Sequence, residues 1–239
     1  IQETLTSRLL AAKNHHGPGH PPPPDPTIIT FTPNPVYTTG RRDLPPSNTR
    51  NATTKSPSAG GGGMQLSLPA ALEPVRSLLT APTTGSSEPA RPDAVAEYHP
   101  TLRGGQTTYH GPGQLVAYTV LDLRRHGLTP RCHIRVLEDS VVDVLRGFGV
   151  RGLITDDPGV WVATPSKLQP PPPSTQSQFD SGSGTGSGNG AVVPKKITAV
   201  GVHLRRNISS YGIGLNVSEV PMWYFRQIVA CGLEGREAT

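Results

Sequence analysis

Two long segments of this chain hold almost no side chains that could be buried in a core. Residues 45–63 are chiefly serine, threonine, asparagine, proline and glycine, and residues 164–194 contain four successive prolines and the run SGSGTGSGNG. Segments of this composition cannot bury enough apolar surface to offset the entropy lost on folding. They also explain why only 34% of the 239 residues are hydrophobic. We therefore expect a single domain over residues 1–239, interrupted by disordered insertions at 45–63 and 164–194.

Between these insertions, hydrophobic periodicity predicts more strands than helices. The clearest helix covers residues 133–148, where Ile134, Leu137 and Val141 share one face. Further helices are expected over residues 1–13, 66–79 and 223–229, and strands over 27–31, 95–102, 115–121, 160–163, 195–206 and 212–217, with a short strand ending at Gly40. Strands and helices that mix irregularly predict an α/β protein of the α+β kind, a mixed-sheet single domain.

Charge and cysteine content narrow the functional classes. The net charge of +5 favours an acidic partner, but the basic residues stand in scattered pairs without interleaved aromatic residues, which disfavours nucleic acid. No apolar run is long enough to span a bilayer. The two cysteines, Cys132 and Cys231, form neither a dense disulfide framework nor a zinc-ligand spacing. Cys132, directly before the main helix, is interpreted as structural.

The run RGGQTTYHGPGQLVAY, from Arg103 to Tyr118, concentrates glycines and hydrogen-bonding side chains before an apolar strand. Glycine lets a backbone approach a ligand closely, and a plain turn needs only one or two such residues. The run therefore predicts the wall of a binding site.

Three residues could carry chemistry, and each has a simpler interpretation. Cys231 is either a small buried hydrophobe or a nucleophilic thiolate near glycine amides. Lys196 is either a solvated strand end or a base that activates a thiol, and Lys195 would point the other way in a strand. His110 is either the base of a Cys–His dyad or a residue that orders the glycine-rich loop.

Five stretches resemble the lipoyl(octanoyl) transferases and occur in the order found in that family. They are TPNPVYTTGRR, RGGQTTYHGPGQLVAY, GVWV, KITAVGVHLRRNISSYGIGLNV and IVACGLEGREAT. The resemblance implies a fold related to the biotin protein ligases and lipoate–protein ligases. It implies an acyltransferase that moves an octanoyl or lipoyl group from acyl carrier protein to a lysine of a lipoyl-carrier domain, through a cysteine thioester, in lipoate biosynthesis.

The same resemblance implies the site residues and partners. Cys231 would be the nucleophile and Lys196 would activate it. The acyl site would consist of Arg103, Gly104, Gly105, Gln106, Thr107, Thr108, Tyr109, His110, Ala199, Val200, Gly201, Gly212, Ile213 and Gly214. The donor would be octanoyl-acyl carrier protein, and the acceptors apo lipoyl domains of 2-oxoacid dehydrogenases and the glycine cleavage H protein. No cofactor or metal is expected, because a thioester arrives already activated.

Some features depart from the family pattern. Tyr211 precedes Gly212 where the family commonly has histidine, which removes imidazole chemistry there. The chain lacks the family's first strand and C-terminal tail, so we expect a fragment. The insertions predict a eukaryotic, fungal member, and the resemblance then implies a mitochondrial location. Two alternatives stay open: an ATP-dependent lipoate or octanoate ligase, and a non-catalytic module that binds acyl groups or lipoyl domains.

Overall fold

The structure is a computed structural model that describes residues 1–14, 22–43, 53–54, 65–66, 68–80, 95–163, 194–228 and 238–239. Its strands are β1 (Thr27–Phe31), β2 (Val36–Thr39), β3 (Thr53–Thr54), β4 (Gln65–Leu66), β5 (Leu79–Thr80), β6 (Ala96–Pro100), β7 (Thr108–His110), β8 (Gln114–Asp122), β9 (Gly152–Ile154), β10 (Val160–Val162), β11 (Lys195–Arg205) and β12 (Ile208–Asn216). Its helices are α1 (Gln2–Asn14), α2 (Pro130–Gly147) and α3 (Met222–Phe225), with 3-10 helices at Ala70–Leu78 and Leu123–His126. The predicted mixed-sheet α+β class is confirmed.

The larger sheet has six strands in the order β1-β8-β12-β11-β10-β9, and every neighbouring pair is antiparallel. Its centre is the long hairpin of β11 and β12, which pairs from Thr198 with Leu215 to Arg205 with Ile208. The two turn residues, Arg206 and Asn207, have φ values of 52° and 63°. Two successive positive φ angles give the turn whose twist suits a two-residue hairpin.

A smaller sheet packs around a cluster of tyrosines. Its order is β5-β6-β2-β7, with β2 parallel to β6 and antiparallel to β7. Tyr37, Tyr98 and Tyr109 are each at most 1% exposed and form a core with apolar residues of the 3-10 helix, Leu72 and Val75. This core fixes β7, the strand within the glycine-rich run, against the rest of the domain.

Two helices cover the larger sheet through separate apolar clusters. Leu9 of α1 packs on Val120 and Ile208. On α2, Val141 and Leu145 pack on Val160 of β10 and its neighbours. Burial of an apolar face drives the α2 contact. On α1 only Leu9 is buried, with Leu5 and Leu10 partly buried beside it.

The structure differs from the sequence predictions in three ways. The strands β3, β4, β5, β7 and β9 were not predicted, and the segment predicted as a helix over 66–79 is chiefly a 3-10 helix at Ala70–Leu78. The remaining differences lie at element ends. Helix α2 starts at Pro130, three residues before the predicted start, because the Thr129 hydroxyl accepts a hydrogen bond from the Cys132 amide at 3.1 Å and caps the helix. Cys132 therefore lies inside the first helical turn, where it is exposed, and not before the helix. Strand β12 begins at Ile208, earlier than predicted, because the tight turn at residues 206–207 leaves no room for a longer loop. Apart from Thr53–Thr54 and Pro194, the predicted insertions lie outside the described residues.

Candidate active site

A cavity of about 380 Å³ lies between the glycine-rich segment and the β11–β12 hairpin. Twelve of the fourteen residues predicted for the acyl site line it: Arg103, Gly104, Gly105, Gln106, Thr108, His110, Ala199, Val200, Gly201, Gly212, Ile213 and Gly214. The lining also includes Arg42, Tyr118, Ile134, Asp157, Pro158, Lys196, Val202 and Tyr211. The fold thus brings two separate sequence segments and Lys196 around one space.

Thr107 and Tyr109 are absent from the cavity wall, which corrects the expectation that the whole run from Arg103 to His110 lines the site. The Thr107 amide and hydroxyl donate to Asp43 Oδ2 at 2.6 and 2.7 Å. The Tyr109 ring stacks on Tyr224, with centroids 4.1 Å apart and planes 7° from parallel. Side chains alternate along a strand, so the faces that present Thr108 and His110 to the cavity turn Tyr109 into the tyrosine core.

Arg103 anchors the glycine-rich loop as well as lining the cavity. Its guanidinium is buried and donates from Nη2 to both the carbonyl and the hydroxyl of Thr38, each at 2.9 Å. The next amide, that of Gly104, donates to the carbonyl of Val202 on β11 at 2.9 Å. The loop is therefore tied to β2 on one side and to the hairpin on the other.

Close contacts require glycine at two positions around the loop, one against backbone and one against the His110 ring. A Cβ on Gly40 would lie 2.1 Å from the Gly105 carbonyl oxygen, and one on Gly214 would lie 2.8 Å from His110 Cε1. Real Cβ atoms essentially never come that close. The loop can approach β2 and β12 only because both positions lack a side chain. Gly40, Thr38 and Asp43 were not predicted as site residues, although the first two lie in the family-like stretch TPNPVYTTGRR.

A buried chain of hydrogen bonds fixes the orientation of His110. Asn216 Nδ2 donates to the Thr239 carbonyl at 2.7 Å, so the Asn216 Oδ1 atom faces Gln114 and accepts from its Nε2 at 2.6 Å. This leaves Gln114 Oε1 to accept from His110 Nδ1 at 3.2 Å. A carbonyl can only accept, so Nδ1 carries the proton and Nε2 is the acceptor nitrogen of His110.

The environment of His110 favours the neutral imidazole. Its pKa is lowered from 6.5 to about 4, chiefly because burial penalises the charged form and also because Arg103 carries a positive charge nearby. The hydrogen bond to Gln114 opposes this shift. At neutral pH His110 is therefore an uncharged hydrogen-bond donor to Gln114.

We expect His110 to make the protein less stable as the pH falls from 6.5 toward 4. In this window the imidazole is protonated in the unfolded chain but not in the folded chain, so the free energy of unfolding decreases by up to about 3 kcal/mol. Above pH 6.5 His110 has no effect on the free energy of unfolding. Thermal unfolding of the parent and His110→Gln at several pH values will measure this. The variant should show the flatter profile, and parallel profiles would contradict the assignment.

Lys196 lies at one end of the cavity, at the turn that leads into β10. Its Nζ donates to the Pro158 carbonyl at 2.9 Å and stands 4.6 Å from the centroid of the Trp161 ring. Trp161 is 1% exposed and its Nε1 donates to the Asp157 carbonyl at 3.2 Å. Lys195 is not among the cavity residues, as alternation along β11 predicts.

Cys231 lies in residues 229–237, outside the described part of the chain. The chain is described again at Ala238, which forms a parallel bridge with Lys196. The Thr239 amide then donates to the Lys196 carbonyl at 3.0 Å. Ala238 and Thr239 therefore lie beside the strand that carries Lys196.

Metal and membrane sites find no support among the described residues. No group of three or more histidine, cysteine, aspartate or glutamate side chains there could hold a metal ion. Within the same ranges, no helix is long and apolar enough to cross a membrane.

The family model for the lipoyl protein ligase A/B catalytic domain matches residues 90–236. The chain belongs to this family. A probable octanoyltransferase of Schizosaccharomyces pombe is 33% identical over 218 residues, which cover 91% of this chain and 67% of the relative. An octanoyltransferase of Paracoccus denitrificans is 39% identical over 160 residues, or 66% of this chain and 65% of the relative. A solved bi-partite lipoate protein ligase with its E2 lipoyl domain from Thermoplasma acidophilum is 13% identical, with a TM-score of 0.45, over 100% of this chain and 69% of that chain.

Membership of the lipoyl protein ligase A/B family confirms the resemblance seen in the sequence motifs, and with it the relation to the lipoate–protein ligase fold. The acyltransferase class is confirmed through relatives that are octanoyltransferases, one of them fungal. The match begins at residue 90, so α1, β1 and β2 lie outside it. Yet β2 supplies Thr38, which holds Arg103. The cavity of this family member thus depends on residues on both sides of that boundary.

Proposed function

We propose that this protein transfers an octanoyl group from acyl carrier protein to a lysine of a lipoyl domain, with Cys231 as the acyl carrier on the enzyme. The observation that carries the proposal is the cavity that joins the family's glycine-rich loop, the β11–β12 hairpin and Lys196. The octanoyltransferases of S. pombe and P. denitrificans support the choice of acyl group. A cavity whose wall combines glycines and apolar side chains with a few polar groups suits an alkyl thioester.

The first half-reaction would load the enzyme. The Cys231 thiolate attacks the carbonyl carbon of the octanoyl thioester, a new carbon–sulfur bond forms, and the bond to the carrier's sulfur breaks. The carrier thiol leaves after it takes a proton from the Lys196 ammonium. The Lys196 amine that results is a base placed at the cavity. A thiolate is the reactive form of cysteine, and its activation by a neighbouring base is the usual arrangement for covalent catalysis.

The second half-reaction would unload the enzyme. The acceptor lysine amine attacks the octanoyl-Cys231 carbonyl, an amide bond forms, and Cys231 leaves as the thiolate. The proton of the acceptor amine passes to the Lys196 amine, which restores the starting ammonium. One lysine can therefore serve as acid in the first step and base in the second, and no external oxidant, reductant or nucleotide is consumed.

The donor, acceptor and compartment follow from the same proposal. Octanoyl-acyl carrier protein is the donor, and lipoyl domains of 2-oxoacid dehydrogenases and the glycine cleavage H protein are the acceptors. A net charge of +5 favours encounter with an acidic carrier protein. We place the enzyme in the mitochondrion of a fungal cell, in keeping with its fungal relative.

Incubation with octanoyl-acyl carrier protein should add one octanoyl mass to the protein, measured on the intact chain. The adduct should be absent in Cys231→Ala. It should persist in Cys132→Ala, because Cys132 is an exposed helical thiol that does not line the cavity. An adduct that survives in Cys231→Ala would refute the covalent step. Ligation of free octanoate that requires ATP would instead favour the ligase alternative.

A further inference from the structure

Tyr211 has a backbone conformation that its residue type resists. Its φ is +63° in the middle of β12, a region in which a bulky side chain is an outlier. The other described non-glycine residues with positive φ, Arg206 and Asn207, form the tight hairpin turn that requires it. Tyr211 has no such turn to explain it, because it pairs with Val202 across the hairpin.

Neighbouring elements hold Tyr211 in this conformation. The Tyr211 amide donates to Gln2 Oε1 of α1 at 2.8 Å, and its carbonyl accepts from the Thr119 hydroxyl of β8 at 3.5 Å. Thr119 is also 3.3 Å from Nε2 of the buried His133. Strained residues that are held from several sides occur most often where the strain aims a side chain at a functional site.

The Tyr211 ring lies at the cavity wall beside a second tyrosine. Its centroid is 5.3 Å from that of Tyr118, with the planes 63° apart, and Tyr118 in turn meets Phe31 edge-on at 5.0 Å. Both tyrosines line the cavity. Burial, together with the neighbouring Tyr211, raises the pKa of Tyr118 to about 12 against the opposing effect of the Arg103 guanidinium, so the Tyr118 hydroxyl is uncharged. The two rings form one rigid aromatic surface supported from behind by Phe31.

This aromatic surface stands opposite the proposed reactive end. Along β11 the cavity residues run from Lys196 to Val202, which is the partner of Tyr211. The six residue steps of strand between them set an upper limit of roughly 20 Å on the length of a chain that lies along β11. Between the two ends the β11–β12 hairpin contributes only apolar residues or glycines: Ala199, Val200, Gly201, Gly212, Ile213 and Gly214. The polar lining residues Arg103, Gln106, Thr108 and His110 come from the glycine-rich run on the other side. The hairpin side of the wall suits a linear alkyl chain whose carbonyl is near Lys196 and whose methyl end points toward Tyr211.

We propose that the Tyr211 ring, aimed by its strained backbone and supported by Tyr118, closes the far end of the cavity and limits the length of the alkyl chain it accepts. The inference rests on the proposed function for its acyl thioester, but its physical content is an apolar stretch of cavity wall that ends at an aromatic ring. A ring that blocks a pocket excludes any longer chain with the same head group, whether or not the chain is activated.

Titration calorimetry measures the affinity of this pocket for free octanoate and for free dodecanoate, and neither measurement requires a reaction. The wild-type chain should bind octanoate in preference to dodecanoate. In Tyr211→Gly, which fits the backbone and removes the ring, the ratio of dodecanoate to octanoate affinity should rise about 10-fold or more. Tyr211→Phe keeps the ring and should keep the wild-type ratio. Asn207→Gly, a control with the same φ of 63° outside the cavity, should do so too.

An unchanged ratio in Tyr211→Gly, an equal change in Tyr211→Phe, or no binding of either acid by the wild type would overturn the inference. If Tyr211→Gly does not fold, Tyr118→Leu removes the supporting ring and should shift the ratio in the same direction. The same variants tested with octanoyl and dodecanoyl thioesters separate the two proposals. Failure of every thioester to acylate the wild type would refute the proposed function, while fatty-acid binding decides the length limit independently.

Discussion

Replacement of Lys196 with methionine should slow octanoyl transfer to an apo lipoyl domain by about 100-fold or more, because the only proposed proton carrier at the cavity is lost. Methionine retains an unbranched stem that can pack on Trp161, whose ring lies 4.6 Å from the Lys196 Nζ. Lys196→Arg should be comparably slow, since a guanidinium keeps the charge but cannot give up its proton. Single-turnover rates of acyl transfer, with thermal unfolding as a check on folding, measure the effect.

Lys195→Met is the matched control for this result. It removes the same charge from the adjacent residue of β11, but Lys195 is not a cavity residue. Its transfer rate should stay close to that of the parent. Equal losses in the Lys195 and Lys196 variants would mean that the charge of the strand matters and that no specific proton carrier exists. Full activity in Lys196→Arg would show that the charge alone is sufficient.

Replacement of Gly40 with alanine should destabilise the protein by about 3 kcal/mol and strongly reduce acylation, since overpacking against backbone cannot be relieved by a rotamer change. The added Cβ would lie 2.1 Å from the oxygen and 2.5 Å from the carbon of the Gly105 carbonyl. The loop must then move away from β2. That movement would pull Arg103 from Thr38, to which it donates at 2.9 Å.

Gly147→Ala is a control in which the free energy of unfolding should change in the opposite direction. Gly147 is the last residue of α2, and a Cβ there meets nothing within 4 Å. Alanine in a helix is favoured over glycine by about 0.5–1 kcal/mol, so this variant should be slightly more stable than the parent. Urea unfolding of both variants measures the difference. A Gly40→Ala protein as stable as Gly147→Ala would show that the loop does not need its close contact with β2.

Hydrophobic periodicity and residue composition predicted the helices and strands that depend mainly on interactions between neighbouring residues in the sequence. The helical spacing of Leu137 and Val141 predicted α2, and the β-branched run Thr27–Phe31 predicted β1 with its observed bounds. Element ends were less accurate because caps and turns decide them: Thr129 starts α2, and the turn at Asn207 fixes the start of β12.

In the candidate site too, local sequence patterns predicted some residues, and tertiary contacts that the sequence does not show decide the others. The glycine-rich run was predicted as a wall because several glycines in one segment are a local signal, and family resemblance favoured the catalytic interpretation of Lys196 over the solvated one. The supports of that wall come from distant segments: Thr38, Asp43 and Asn216 become partners of the loop only through tertiary contacts. The positive φ of Tyr211 is likewise invisible in the sequence, because a tyrosine in a strand pattern predicts extended backbone.

The register between β10 and β11 has a consequence for chain entropy. Val162 and Lys195 are direct partners in the ladder, so the long segment between them leaves and re-enters the sheet at adjacent points. For any flexible connection between these two points, the free-energy cost of loop closure grows only with the logarithm of its length, by about 0.6 kcal/mol for each doubling. Insertions can therefore lengthen or shorten here at small thermodynamic cost, while the strand that carries Lys196 keeps its place beside Trp161.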